Sequence, residues 1–377
     1  MSLQVVDRRE GFLALRQDWN ALADGLGSPL LRHELFEAMI EAQAGRRSLA
    51  IFVLRNGGGA VRGIAPLQTK RRFGARRLEF ISHGLHEPNG FLYADEAALE
   101  ALVRHVFAAR LPVLLNRLVE GGAEMVCIEG LARGSRRFRY TDGGTILRVP
   151  LDSDFAVIER GISGDRRSSL RRLRKRADGF GEVEFLAVVP GPSDVDGYLD
   201  EVFRLEGSGW KGRVGSAILT DPEKGRFFRL YGRAAAERGM LRLFFMRLGG
   251  EAIAARFAIA HAGRLWDLKI GYDERWRSCS PGILLTQETL RHACREGLVA
   301  HEFLGMAADW ERIWRCEERR CRTLRYYPVS AVSLVRLGGE ALDLAGRRLG
   351  RILGSVRAKG KAVGGHSQQE PGRIQPA

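Results

Sequence analysis

Between residues 10 and 44 apolar positions recur at helical spacing: Leu13, Leu15, Trp19, Leu22 and Leu26, then Leu35, Phe36, Met39 and Ile40, with Pro29 between the two sets. The pattern predicts two helices. The period then falls to two. Ser48 to Arg55 reads as a strand, Asn56-Gly57-Gly58-Gly59 as a hairpin turn, Val61 to Thr69 as the return strand and Leu78 to Ser82 as another. His83 to Asn89 reads as a loop, Asp95 to Val119 as a helix kinked or broken at Pro112, and Glu124 to Ile128 as a buried strand.

The second half opens on a short strand, Ile146 to Val149, followed by a largely helical stretch from Phe155 to Ala177 that stops at Gly179. Val183 to Val189 is the next strand; Ser193 is placed to cap a helix running to about Gly207, and Asp221-Pro222 to start one that ends at Gly239. Three strands follow, Leu241 to Leu248, Ala252 to His261 and Arg264 to Tyr272, separated by Gly249-Gly250 and Ala262-Gly263. A helix from Ser280 to Gly297, a short strand at His301 to Leu304, a helical turn at Asp309 to Arg315 and a closing strand at Tyr326 to Val335 complete the pattern. The segment Phe52 to Leu67 aligns without a gap to Phe244 to Ile259, each a strand, a Gly-Gly hairpin and a strand, preceded by two helices. Such an echo implies a duplicated α/β unit. From Leu337 the chain turns basic and amphipathic, with Leu342, Leu349, Ile352 and Leu353 against Arg347, Arg348, Arg351 and Arg357. This reads either as a membrane-surface helix or as a helix docked on the body, and beyond Gly360 as a polar tail.

Three segments follow: 1–145, 146–335 and the basic tail 336–377. A chain of 377 residues with 45% hydrophobic content can build two packed halves, which excludes wholesale disorder. A formal charge of +15 and pI near 10.2 point to anionic partners, although the excess of arginine over lysine has other origins. The N-terminus lacks a signal-peptide core and no apolar run is long enough to span a bilayer. The five cysteines are scattered without histidine partners, which reads as a reduced, cytoplasmic chain with no metal.

The stretch from Trp266 to Leu298 carries the candidate chemistry. A strand feeds a helix through Ser280-Pro281-Gly282, with Ser280 as N-cap. Amides at such a helix start are unpaired and suit a phosphate, but the same residues serve equally to begin a helix. Arg166 to Arg176 holds seven basic residues and no acid, with Leu170, Leu173 and Ala177 on one stripe. Its charges are a solvated face or a contact for a ligand's phosphates, an anionic polymer or RNA; the missing aromatics speak against nucleic acid. No GxSxG elbow, P-loop or His/Cys metal motif occurs, and His83, His86 and Glu87 read as a surface loop.

The ordered segments RRSSLRRLRKRADGFGEVEFLAV, EGSGWKGRVGSAI, GYDERWRSCSPGILL and HEFLGMAADWERIW resemble the CelD/BcsL-type acetyltransferases of the GNAT superfamily. The tandem halves of that family are similar to the Fem peptidoglycan aminoacyltransferases. The resemblance is densest over Ile146 to Trp314. It implies an α/β fold of the α+β kind: tandem GNAT-like halves, each a mixed, mostly antiparallel sheet flanked by helices. It also implies an acyl-CoA co-substrate, acetyl-CoA or a longer one, held between splayed strands near Trp266 and Ile270, with its pyrophosphate at the amides of Gly282, Ile283 and Leu284 beside Ser280. Most GNAT proteins carry Gln/Arg-x-x-Gly-x-Gly/Ala there, where this chain has Arg277-Ser278-Cys279-Ser280-Pro281-Gly282.

Acylating an amine needs a base for its proton and donors for the thioester oxygen. Glu206, just before Gly207-Ser208-Gly209-Trp210-Lys211, is the first candidate base, and Asp273 the second; each also reads as an ordinary helix-end or turn residue. Tyr272 is placed to protonate a leaving thiolate or to pack, and Trp210 and Lys211 to meet the acceptor. Where the family often shows a lysine after an aromatic, this chain has Glu311 after Trp310, so Arg312 or Arg315 would supply positive charge. The expected activity is acetyl transfer to a small-molecule or glycan amine in polysaccharide or cell-envelope synthesis, in the cytoplasm or at the inner membrane face. The rivals are Fem-like transfer from aminoacyl-tRNA and a non-catalytic membrane-associated protein with peripheral contact through the C-terminal helix.

Overall fold

The computed structural model describes residues 1–43, 48–72, 74–82, 87–209, 217–305 and 307–330, with positions 333, 335, 338 and 339 beyond them. The chain starts with β1 (Ser2–Val6), α1 (Arg9–Ala14), α2 (Arg16–Leu26) and α3 (His33–Ala42). The expected β-hairpin is present but divided. Its inner parts, β3 (Ile51–Arg55) and β4 (Val61–Ala65), pair in a four-stranded sheet with β1 and β7 (Leu92–Tyr93). Its outer parts, β2 (Ser48–Leu49) and β5 (Leu67–Arg72), continue into a second sheet beside β6 (Ala75–Phe80). The division falls at Ala50 and Pro66; proline has no N–H to carry a ladder onward.

Past α4 (Glu96–Ala108) two expectations fail. Pro112 does not kink a helix: residues 113–119 form the strand β8 (Val113–Val119), in which Val113 and Leu115 are buried in alternation. The supposed strand at Glu124 to Ile128 lies in the helix α5 (Ala123–Ala132), whose buried residues Met125 and Ile128 are three apart. Short apolar runs fit both periods, and tertiary packing decides between them. β9 (Phe138–Pro150) is far longer than the strand expected at Ile146 to Val149, and a 145/146 boundary falls inside it.

The helical stretch after it breaks at Gly161–Ser163 into α6 (Phe155–Arg160) and α7 (Gly164–Asp178). β10 (Val183–Val188) and α8 (Val195–Gly207) follow, the latter preceded by Asp194 rather than Ser193 at its cap. Asp221 accepts from the amides of Glu223 and Lys224, so α9 (Pro222–Ala236) starts as its sequence predicts. β11 (Leu241–Leu248), β12 (Glu251–His261), β13 (Arg264–Tyr272), α10 (Pro281–Arg295) and β14 (Ala300–Phe303) also fall where the pattern puts them. The last strand does not. β15 spans Glu317–Tyr326, so it ends where the closing strand was expected to begin. Its run of charges hides buried positions at Cys321, Leu324 and Tyr326, with a register shift against β8 between Arg322 and Leu324.

Among the described residues the large sheet has eleven strands in the order β10-β11-β12-β13-β14-β9-β15-β8-β6-β5-β2. Neighbours are antiparallel except β13–β14 and β6–β8, giving the expected mixed, mostly antiparallel sheets flanked by helices. β15 does not close an edge: it lies between β9 and β8 and joins the sheets of the two halves. Packing joins them as well. Phe12 and Trp19 from the first helices share one core with Phe227, Phe228 and Tyr231 of α9, and Arg238 pairs with the buried Glu34 at 2.8 Å. Trp210 and Lys211, His83 and His86, and the expected helix from Leu342 to Arg357 lie outside the described residues.

α8 approaches the sheet closely at Gly271, where an added Cβ would lie 2.3 Å from the Glu206 Cα. Only glycine lets α8 settle against β13. Gly271→Ala is therefore expected to cost about 3 kcal/mol by overpacking, read from urea unfolding. Unchanged stability would show that α8 sits further from β13.

Candidate active site

β13 and β14 run parallel from Arg264↔Ala300 to Asp267↔Phe303 and then part. β13 continues to Tyr272, whereas the chain after β14 turns away through Leu304 and Gly305, the latter at φ +102°. On its other side β13 carries a bulge: the register with β12 steps from Phe257↔Lys269 to Ala258↔Asp267, leaving Leu268 without a counterpart. A strand edge freed on one side and bulged on the other presents backbone N–H and C=O groups to the gap. A cavity of about 580 Å³ occupies it, walled by Leu268, Ile270, Tyr272, Gly282, Ile283 and Trp310, with Glu206, Asp267 and Glu311 also on its surface.

The floor is a cluster of charges. Arg256 of β12 is fully buried and lies 3.0 Å from Asp267 Oδ2. It also donates to Thr286 Oγ1 of α10 at 2.5 Å, and its Nη1 sits 3.3 Å from His301 Nε2 of β14. The same Nε2 lies 3.6 Å from Asp267 Oδ2, so the imidazole edge faces both members of the ion pair. Burial holds the His301 pKa below its ordinary value against the pull of Asp267, which keeps the ring neutral. Asp267 Oδ1 has no hydrogen-bond partner among the described residues.

Glu311 stands over this floor, on a short 3-10 turn (Glu311–Ile313). It is 6% exposed, and its Oε2 accepts from the Ala308 amide at 2.8 Å. Burial pushes its pKa up to about 7; the Asp267 charge adds to the rise, while the Ala308 bond, Arg256 and Arg312 oppose it. A carboxyl of that strength exchanges protons near neutrality, as a general base must.

The structure gathers some of the sequence candidates and separates others. Glu206, Ile270, Tyr272, Ser280, Gly282 and Ile283 line the cavity. The Glu206 carboxylate is engaged: Oε2 accepts from the Ile218 amide at 2.7 Å. Asp273 is not among the lining residues. It caps the 3-10 turn Glu274–Cys279 and pairs with Arg275, whose hydrogen bonds hold its carboxyl below the usual range, so it is a poor base. Trp266 and Leu284 are core residues, the indole packed among the aromatics under α8 and α9.

The phosphate expectation also narrows. Ser280 adopts the left-handed conformation and makes no side-chain cap. Its carbonyl takes the amides of Ile283 (3.0 Å) and Leu284 (3.3 Å), and Pro281 has no N–H, which leaves Gly282 alone of the expected amides. Arginine supplies what the helix start lacks: exposed Arg277 lines the cavity, and Arg176 of α7 donates to the Ser278 carbonyl at 2.7 Å.

Arg256, Asp267 and His301 were missed as site residues, and Glu311 was noticed only as a departure from a family pattern. A signal existed. Arg256 is a single charge inside the apolar run AIAARFAIA, and Asp267 sits between Trp266 and Leu268; charges so placed in apolar strands demand buried partners.

With this geometry in view, residues 164–312 match the family model of the acetyltransferase (GNAT) domain, a span that contains every cavity residue named above. Among solved structures the chain is similar to FemX at 12% identity and TM-score 0.58, over 87% of this chain and 97% of that one. It is also similar to L-PGS from Bacillus licheniformis, at 13% identity and TM-score 0.53, over 88% and 98%. A protein of unknown function from Bacteroides thetaiotaomicron gives 12% and 0.55, over 86% and 100%. At these identities the likeness is one of fold. No curated protein matches the sequence.

Two outcomes follow from the floor. Arg256→Met should cost about 4 kcal/mol by stranding Asp267, and adding Asp267→Leu should restore much of it; a double-mutant cycle of urea unfolding without coupling would contradict the pairing. The native pKa of Glu311 exceeds its ordinary value of 4.5, so its contribution to stability is complete below pH 4.5 and is lost as pH rises through about 7. Glu311→Gln should abolish that decline, about 3 kcal/mol for a shift of this size, in unfolding measured from pH 4 to 8.

Proposed function

We propose that this chain is an acyl-CoA-dependent N-acyltransferase, and that its reaction takes place in the gap between β13 and β14. The observation that carries the reading is the junction of three features in one cavity: a freed and bulged strand edge, a buried carboxyl titrating near neutrality, and arginines at the helix start. The donor would enter along α10, its phosphates met by Arg277 and the Gly282 amide, its thioester laid against β13. Edge amides around Leu268 would hold the carbonyl oxygen as negative charge develops on it. Glu311 would take the proton as the acceptor nitrogen attacks, and Tyr272 would return one to the departing thiolate. Attack is direct, since none of the five cysteines lines the cavity. The acceptor in this reading is an amine of a small molecule or glycan used in envelope polysaccharide synthesis, a choice supported by the resemblance of the ordered segments to CelD/BcsL-type proteins.

One observation favours a second reading, transfer from an aminoacyl-tRNA. Exposed Arg171, Arg172 and Lys175 lie on α7, the helix whose Arg176 reaches the cavity rim, and they extend the positive surface beyond what one CoA occupies. Calorimetry separates the two. Acetyl-CoA is expected to bind the wild type and Glu311→Gln alike, with thioester consumption in the variant reduced about a hundredfold or more. Absence of binding by acetyl-CoA and longer acyl-CoAs, together with tRNA binding that falls steeply with salt, would move the assignment to the aminoacyl donor.

A further inference from the structure

Arg117 lies on β8, far in sequence from every cavity residue named above, yet it reaches the cavity wall. It is 4% exposed, and its backbone takes φ +56°, a conformation unfavourable for a residue with a Cβ. Nη1 donates to the Gly143 carbonyl of β9 at 2.7 Å, and Nη2 to the Gly305 carbonyl at 2.8 Å. Gly143 sits in a tight crossing, where an added Cβ would meet the Cys321 backbone at 2.9 Å. One guanidinium thus ties a fixed point on β9 to the residue that turns the chain away from β13.

The ties continue towards Glu311. The Ala307 amide donates to the Thr145 carbonyl of β9 at 3.2 Å, and the Ala308 amide holds the Glu311 carboxylate. Leu304, Gly305 and Ala308 are themselves lining residues of the cavity. The wall that buries Glu311 is therefore anchored on β8 and β9 rather than on the strands that carry the rest of the site.

We propose that Arg117 is a positioning residue: it holds, across 188 positions of sequence, the segment that orients Glu311 and keeps water from it. The inference rests on Glu311 being the base proposed above. Lysine is no equal substitute, because the fork of a guanidinium reaches two carbonyls that diverge. The groups facing Glu311 are Asp267 of β13, Arg256 of β12, Arg312 on its own turn and Cys316 just after it. Those facing Arg117 are Glu87, Asp142 and Cys321. Releasing the segment leaves the three charges and the thiol around Glu311 in place and changes its access to water.

The test is infrared difference titration of the full chain, with the protonated Glu311 carboxyl band identified by its loss in Glu311→Gln. The wild-type midpoint is expected at about 7. In Arg117→Met it should fall by about one unit or more as water enters and the desolvation that raises it is relieved; Arg117→Lys should fall less. A wild-type midpoint in a cooperatively melting Arg117→Met protein would overturn the proposal. Should the Met variant fail to fold, the Lys variant decides alone: a lowered midpoint supports the assignment and an unchanged one overturns it. The titration needs neither donor nor acceptor. A shifted midpoint in a protein that binds no acyl-CoA would keep the positioning role and remove the proposed reaction.

Discussion

A guanidinium with no access to water has to be answered by its surroundings, because it cannot shed its proton. Arg256 is answered from three directions: Asp267 on the next strand, Thr286 on the helix above, and His301 on the strand beyond. Those partners mark the place where β13 and β14 cease to pair. The cluster is not a large source of net stability, since desolvating both ions consumes most of their attraction. What it supplies is register. β12, β13, β14 and α10 satisfy the charge together only in the arrangement that also opens the gap.

The same low-dielectric floor shapes the chemistry above it. Asp267, paired with Arg256, is a fixed negative charge at the base of the cavity, and Glu311 is buried close enough to feel it. Burial and repulsion act in one direction on Glu311 and leave it titrating near neutrality, whereas Asp273, bonded to Arg275, is driven the opposite way. Two carboxyls that look equally available in sequence are thus separated by environment alone. Further arginines stand at the rim. Arg166 and Arg167 at the start of α7 spend their donors on nearby carbonyls, including those of Ile313 and Ile162, while Arg277 stays exposed on the cavity.

The elements nearest the site were legible because local signals agreed with one another. Glycine turns separate β11, β12 and β13, an aspartate and a proline open α9, and apolar residues at helical spacing mark α10. Cavity residues on those elements, Ile270, Tyr272, Gly282 and Ile283, could be named in advance for the same reason. Legibility failed where local signals were divided. Val113–Val119 and Ala123–Ala132 are apolar runs that fit either period, and Glu317–Tyr326 is a strand written in charged residues. Its charges are tolerated because the positions between its buried residues face away from the core, a property of the finished sheet and not of the segment.

The sequence by itself determined the class of fold, the order of elements around the β13–α10 turn, and the absence of a triad or P-loop motif, since these rest on periodicity, caps and spacing between neighbours in the chain. Tertiary structure alone singled out Glu311 as the proposed base. Glu311 acquires its character from Asp267, Arg256 and the Ala308 amide, and its shelter from a segment that Arg117 grips from the other half. Desolvation and through-space charge act between groups brought together by folding, and no pattern along the chain records which groups those will be.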